Sequence, residues 1–119
     1  MTQKQIKFGD QLRERRLAKG FSLRKFAASV GVSPTYLSQV EQCNVDPPTA
    51  ERVKRMAELL GENSDEWIAL AGRVPEDLAG IIQKEPTEIP GLLREASGLT
   101  GDQLRELRQQ VRKLKKRAT

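Results

Sequence analysis

The sequence predicts an all-α chain, with five helices forming an N-terminal part and a smaller helical set behind it. Two observations carry this expectation. No run alternates apolar and polar residues with β-branched side chains, and no Asn-Gly or Asp-Gly hairpin turn occurs. Helix punctuation, by contrast, recurs along the whole chain as hydroxyl caps at starts and glycines just past ends. A length of 119 residues holds one domain, or one small domain with an oligomerisation piece.

Phe8 to Lys19 reads as the first helix, stopped by Gly20 where the chain must leave the helical conformation. Ser22 caps a short second helix, Leu23 to Val30, which Gly31 ends. Ser33-Pro34 places an N-cap before a proline at the first helical position and opens a third helix to about Gln42. The breaker Asn44-Val45-Asp46-Pro47-Pro48 precedes a fourth helix, Thr49 to Leu60, closed by Gly61. Ser64 is expected to cap a fifth, with Asp65 and Glu66 in its first turn and Trp67 to Ala71 following. Gly72-Arg73 is the expected boundary, giving residues 1–72 and 73–119. Beyond it, Pro75-Glu76 starts a short helix to about Lys84, and Glu85-Pro86-Thr87 breaks it. Another runs to Ser97, and Thr100 with Gln103 forms a capping box for the last helix.

Composition removes several function classes. There is no histidine, which takes away the commonest general base and metal ligand. Cys43 stands alone, so neither an intrachain disulfide nor a Cys–His pair can form; this suits a cytoplasmic location. The acidic residues Asp65, Glu66, Glu76, Asp77, Glu85 and Glu88 sit at helix starts, where capping accounts for them. No enzyme activity, cofactor or metal is expected. No apolar run approaches the roughly 20 residues that span a bilayer, and Met1 to Lys7 lacks the apolar stretch of a leader, so no membrane association is expected. Charge is segregated: residues 1–63 carry net +4, residues 64–99 net −4, and residues 100–119 net +5. Basic ends around an acidic middle suit a polyanion partner.

The most restrictive pattern is Ser22 to Glu41, SLRKFAASVGVSPTYLSQVE. Two short helices meet at Gly31, which supplies the positive φ that other residues resist. Ala27 is small where the second helix crosses the third, and Phe26, Val30, Val32, Leu37 and Val40 fall on one inward side. That leaves Pro34, Thr35, Ser38 and Gln39 on the outer face of the third helix. Short hydroxyl and amide groups on an exposed helix suit contacts to base edges in a major groove.

Residues 8–61 resemble the helix-turn-helix domain of the Cro/CI, or XRE, family, through FGDQLRERRLAKGFSLRKFAASVGVSPTYLSQVEQ. The resemblance implies a DNA-binding transcriptional repressor whose third helix reads an operator in double-stranded DNA. It places Pro34, Thr35, Ser38 and Gln39 at base-reading positions. It implies phosphate contacts from Arg16, Ser22, Arg24, Gln42 and Asn44, and a salt bridge between Arg16 and Glu41. Three residues depart from the family pattern. Cys43 replaces a glycine, so that a left-handed turn there carries strain of about 1 kcal/mol unless the turn is altered. An inert loop cysteine is favoured there over a redox sensor. Pro34 can offer only apolar contact, and Arg15 stands where leucine is frequent, with Leu17 expected to take up part of that packing.

The tail carries an apolar stripe, Leu104, Leu107, Val111 and Leu114, at spacings of three, four and three. Homodimerisation through this stripe and the apolar face around Ile81 is favoured over packing within one chain. The basic end, Arg112, Lys113, Lys115, Lys116 and Arg117, reads as a solvated helix terminus. In layout, the segment VPEDLAGIIQKEPTEIPGLLREASG is similar to the small helical dimerisation domains of short mobile-element and stress repressors, some of which a partner metallopeptidase cleaves. The alternative from another class is an antitoxin-type module that neutralises a toxin and autoregulates its operon.

Overall fold

A computed structural model describes residues 6–118; the start of the Met1 to Lys7 segment and Thr119 lie outside the described residues. The described residues form eight helices and no strand: α1 (Phe8–Ala18), α2 (Leu23–Val30), α3 (Pro34–Glu41), α4 (Ala50–Leu60), α5 (Ser64–Leu70), α6 (Glu76–Lys84), α7 (Glu88–Ala96) and α8 (Gly101–Arg117). The chain divides into two units, one ending at Ala79 and the other beginning at Gly80. The division falls inside α6, later than Gly72-Arg73. Arg73 explains part of the delay, because its guanidinium donates to the carbonyls of Pro48 at 3.1 Å and Pro47 at 2.6 Å and holds the chain to the first unit.

Local chemistry sets the helix ends. Ser22 Oγ accepts from the Lys25 N–H, Ser33 Oγ from Tyr36, and Thr49 Oγ1 from Arg52. Gly31 takes φ +73, so the chain turns sharply between α2 and α3 at no steric cost. The fifth helix is capped one residue earlier than expected. Asn63 Oδ1 accepts from the Glu66 N–H at 2.9 Å, and Ser64 is the first helical residue. Asn and Ser are equivalent caps in strength, so residue type alone could not decide between the neighbours.

The first unit closes one core. Leu12 from α1, Phe26 and Ala27 from α2, Leu37 and Val40 from α3, and Val53, Met56 and Leu60 from α4 are all buried, with Trp67 and Ile68 from α5. Phe8 meets Trp67 edge to face at 5.8 Å, joining the first helix to the fifth. Helix α3 is held by α1 and α2, and α4 packs on α2 and α5. Val32 is half-buried against this core. Leu17 does not compensate for Arg15: it is 56% exposed, and Arg15 instead reaches Glu62 at 3.4 Å on the surface. The helix turns Leu17 away from the side that carries Leu12 and Arg16.

The second unit is different in kind. Helices α6, α7 and α8 contain no buried residue. Thr100 and Gln103 make the reciprocal capping box at the start of α8. Arg105 pairs with Asp102 one turn away.

Candidate nucleic-acid interface

The outer face of α3 is presented by the way its inner face is anchored. Leu37 and Val40 are buried, which turns Pro34 and Thr35 to solvent and leaves Ser38 and Gln39 half-buried. The far end is fixed by charge. Arg16 Nε donates to Glu41 Oε2 at 2.7 Å and Nη2 to Oε1 at 2.9 Å, a two-pronged pair between side chains that are 8% and 5% exposed. Nη1 donates to the Phe21 carbonyl at 2.9 Å, so the same guanidinium ties α1, the α1–α2 turn and the end of α3 together. The Glu41 hydrogen bond raises Arg16 above its ordinary value, against the opposing effect of burial.

Arg16 is 7% exposed, with donors engaged by Glu41 and Phe21, a geometry that positions α3. Arg13, one turn earlier and exposed, lines a surface depression of about 450 Å³ together with Asp10, Arg16, Leu23, Ser38, Glu41 and Gln42. Its spacing of three from Arg16 is the signal that could have found it. Arg24 and Ser22 lie exposed at the start of α2. Gln42 and Asn44 are exposed as well, but their amides are engaged locally. Gln42 Nε2 donates to Ser38 Oγ at 3.0 Å, and Asn44 Nδ2 donates to Gln39 Oε1 at 3.1 Å and to Gln42 Oε1 at 3.2 Å.

The α3 terminus keeps the tight turn despite its cysteine. Cys43 takes φ +62, its N–H donates to the Val40 carbonyl at 3.0 Å, and the Asn44 N–H donates to Gln39 at 3.0 Å. That is the Schellman arrangement with a non-glycine residue in the left-handed position. Gly9 is a residue that sequence reasoning missed. A Cβ there would collide with the Val40 carbonyl oxygen and come within 2.9 Å of the Glu41 carbonyl oxygen. A glycine inside a helix is costly enough to mark such a close approach. Arg52 and Arg55 were also missed; they donate to the Gly31 carbonyl at 3.3 Å and the Ser29 carbonyl at 3.5 Å, at the carboxyl end of α2.

Two short helices at a Gly31 turn, with the second held by a buried ion pair and showing a polar outer face, define the site. A family model described as a helix-turn-helix domain matches residues 7–69. The chain belongs to this family. Its first unit carries the helix-turn-helix fold. Similar solved structures include the N-terminal DNA-binding domain of SinR from Bacillus subtilis, 24% identical, covering 51% of this chain and 88% of that one at a TM-score of 0.47. The clp gene regulator ClgR from C. glutamicum is 31% identical, covering 55% of this chain and 83% of its own at 0.46. A SinR protein/SinI protein complex is 24% identical, covering 92% and 98% at 0.47. No curated protein matches the chain.

The residues assigned to dimerisation all belong to the second unit. Ile81, Leu104, Val111 and Leu114 are exposed and Leu107 is half-buried. Among the described residues, no helix is long and apolar enough to cross a membrane, and no group of three or more Cys, Asp or Glu side chains could hold a metal ion.

Proposed function

We propose that this helix-turn-helix protein is a transcriptional repressor that binds an inverted-repeat operator as a dimer. The observation that carries the reading is the polar outer face of α3, fixed on its inner side by Leu37, Val40 and the Arg16–Glu41 pair. Pro34, Thr35, Ser38 and Gln39 are the base-reading residues in this proposal. Ser22, Arg24 and Arg13 face the phosphates, which set register without reading sequence.

The second unit supports the dimer. Ile81, Leu92, Leu93, Leu104, Val111 and Leu114 are exposed on helices that bury nothing. Three short amphipathic helices cannot bury such faces alone, and a second copy buries the same patch twice. Joining two readers makes the second DNA contact intramolecular and raises avidity by about 10²–10⁴. Half-site centres then lie about 34 Å apart, or a multiple of it, along the duplex. Removal of the tail would relieve repression by the same reasoning.

The test is the salt dependence of binding. A dimer making roughly six to ten phosphate contacts loses about 10³–10⁵ in affinity between 50 and 200 mM salt. Fluorescence anisotropy on a duplex carrying the native promoter measures the slope; tight binding with a flat salt response refutes docking through phosphates. Arg24→Ala is expected to weaken specific and random duplexes alike.

A further inference from the structure

We infer that Asn44 sets the hydrogen-bonding polarity of the reading helix, so that Gln39 meets the DNA with its NH₂ group and selects guanine. The inference rests on the proposal that α3 reads bases, and it adds which base and why.

Cys43 in the left-handed conformation folds the chain back over the last helical turn, where the Asn44 N–H reaches the Gln39 carbonyl at 3.0 Å. The Asn44 side chain therefore lies against the Gln39 side chain. Its Nδ2 donates to Gln39 Oε1 at 3.1 Å and to Gln42 Oε1 at 3.2 Å. Gln42 in turn donates from Nε2 to Ser38 Oγ at 3.0 Å. Three amides and a hydroxyl thus form one directional chain that originates at Asn44.

Direction has a consequence at each end. A primary amide is planar, with acceptor and donor on opposite sides. When Gln39 turns Oε1 towards Asn44, its Nε2 must face away, and it donates to no acceptor among the described residues. Ser38 Oγ accepts from Gln42, so its own proton is free to point outward. Both central reading residues thus offer donors. In the major groove, guanine presents two neighbouring acceptors, O6 and N7. Cytosine presents only an amino donor there, and adenine pairs its N7 with an amino group that needs an outward-facing glutamine oxygen. Thymine presents a single acceptor, O4, beside its methyl group, so guanine is the base that gives an outward NH₂ two acceptors.

Asn44 is a positioning residue in this scheme, and base preference, not affinity alone, reports it. Selection from a random duplex pool with the full chain is run for the wild type, Gln39→Ala, Asn44→Ala and Asn44→Asp. Gln39→Ala identifies the base pair that Gln39 reads. The wild type is expected to favour guanine there by about 5- to 150-fold. Asn44→Ala frees the amide and should cut that preference to within roughly threefold of adenine, a discrimination too small for a fixed bidentate contact. Asn44→Asp replaces the donor with an acceptor, draws Gln39 Nε2 inward, turns Oε1 outward and should move the preference to adenine. Unchanged Trp67 emission and unchanged relative affinity for the rest of the site separate these effects from unfolding. A wild-type preference for adenine, cytosine or thymine at that position overturns the inference, as does full guanine preference in both Asn44 variants. If Gln39→Ala alters no base preference, Gln39 is not a reader, and the reading beneath the inference fails with it.

Discussion

Replacing Glu41 with alanine removes the acceptor for two Arg16 hydrogen bonds, at 2.7 and 2.9 Å, and leaves a guanidinium 7% exposed with only the Phe21 carbonyl. Breaking one side of a buried pair costs about 3–5 kcal/mol, because the survivor is an uncompensated charge. Against a typical domain stability of about 5–15 kcal/mol, that is a large fraction. With a urea slope of about 1–3 kcal/mol/M, the midpoint should fall by at least about 1 M. Trp67, the single tryptophan, is 3% exposed in the same core, so its emission follows the first unit within the full chain. The double variant Arg16→Met with Glu41→Leu removes both charges and should recover most of the loss, since buried pairs and apolar replacements are close in stability. Glu41→Ala costing under about 1 kcal/mol would refute this reasoning. So would a double variant whose loss equals the sum of the two single losses.

Gly9→Ala should destabilise by about 1–3 kcal/mol, since the added methyl meets backbone oxygens of Val40 and Glu41 that cannot swing aside; the same urea titration reads it. Cys43→Gly should stabilise by about 1 kcal/mol through relief of the left-handed strain at φ +62, with little packing lost because the cysteine is exposed; thermal unfolding checks the sign. Leu107→Asp with Val111→Asp places charges in the proposed interface. Light scattering should show a monomer and anisotropy a loss of tight operator binding, while Trp67 emission stays native; a persistent dimer would move the interface elsewhere.

Most of the first unit was legible because its signals are local. Caps, glycine stops and apolar spacing act within one turn of helix, and Ser22, Ser33 and Gly31 do what their types require. The Arg16–Glu41 geometry could be anticipated only through the family pattern, since nothing in the spacing of residues 25 apart reveals a contact. Asn63 and Ser64 mark the limit of local signals, because two adjacent residues of equal capping strength compete and backbone geometry decides. Gly9 and Arg13 leave a faint local mark, a glycine inside a helix and a spacing of three from Arg16, whereas the bonds of Arg73 depend on the loop beside it, of which its own neighbours in sequence carry no trace.

The amide chain on α3 is the clearest case of information that sequence holds but does not display. Pro34, Thr35, Ser38 and Gln39 can be placed on an outer face from periodicity alone, because the side that buries Leu37 and Val40 excludes them. Which atom of Gln39 faces outward is a different question. It depends on whether the chain turns back at residue 43 or runs on, and there the cysteine argues locally against the turn that the structure makes. Gly9 packs against the same terminus: a Cβ there would meet the carbonyl oxygens of Val40 and Glu41 and the Cys43 sulfur, so any side chain at residue 9 would push directly on that turn. A long-range contact at Gly9 therefore reaches the reading face through Cys43 and Asn44. Gly9→Ala should thus loosen base preference at the Gln39 pair as well as lower stability, whereas a core truncation of equal cost on α4, such as Met56→Ala, should lower stability alone.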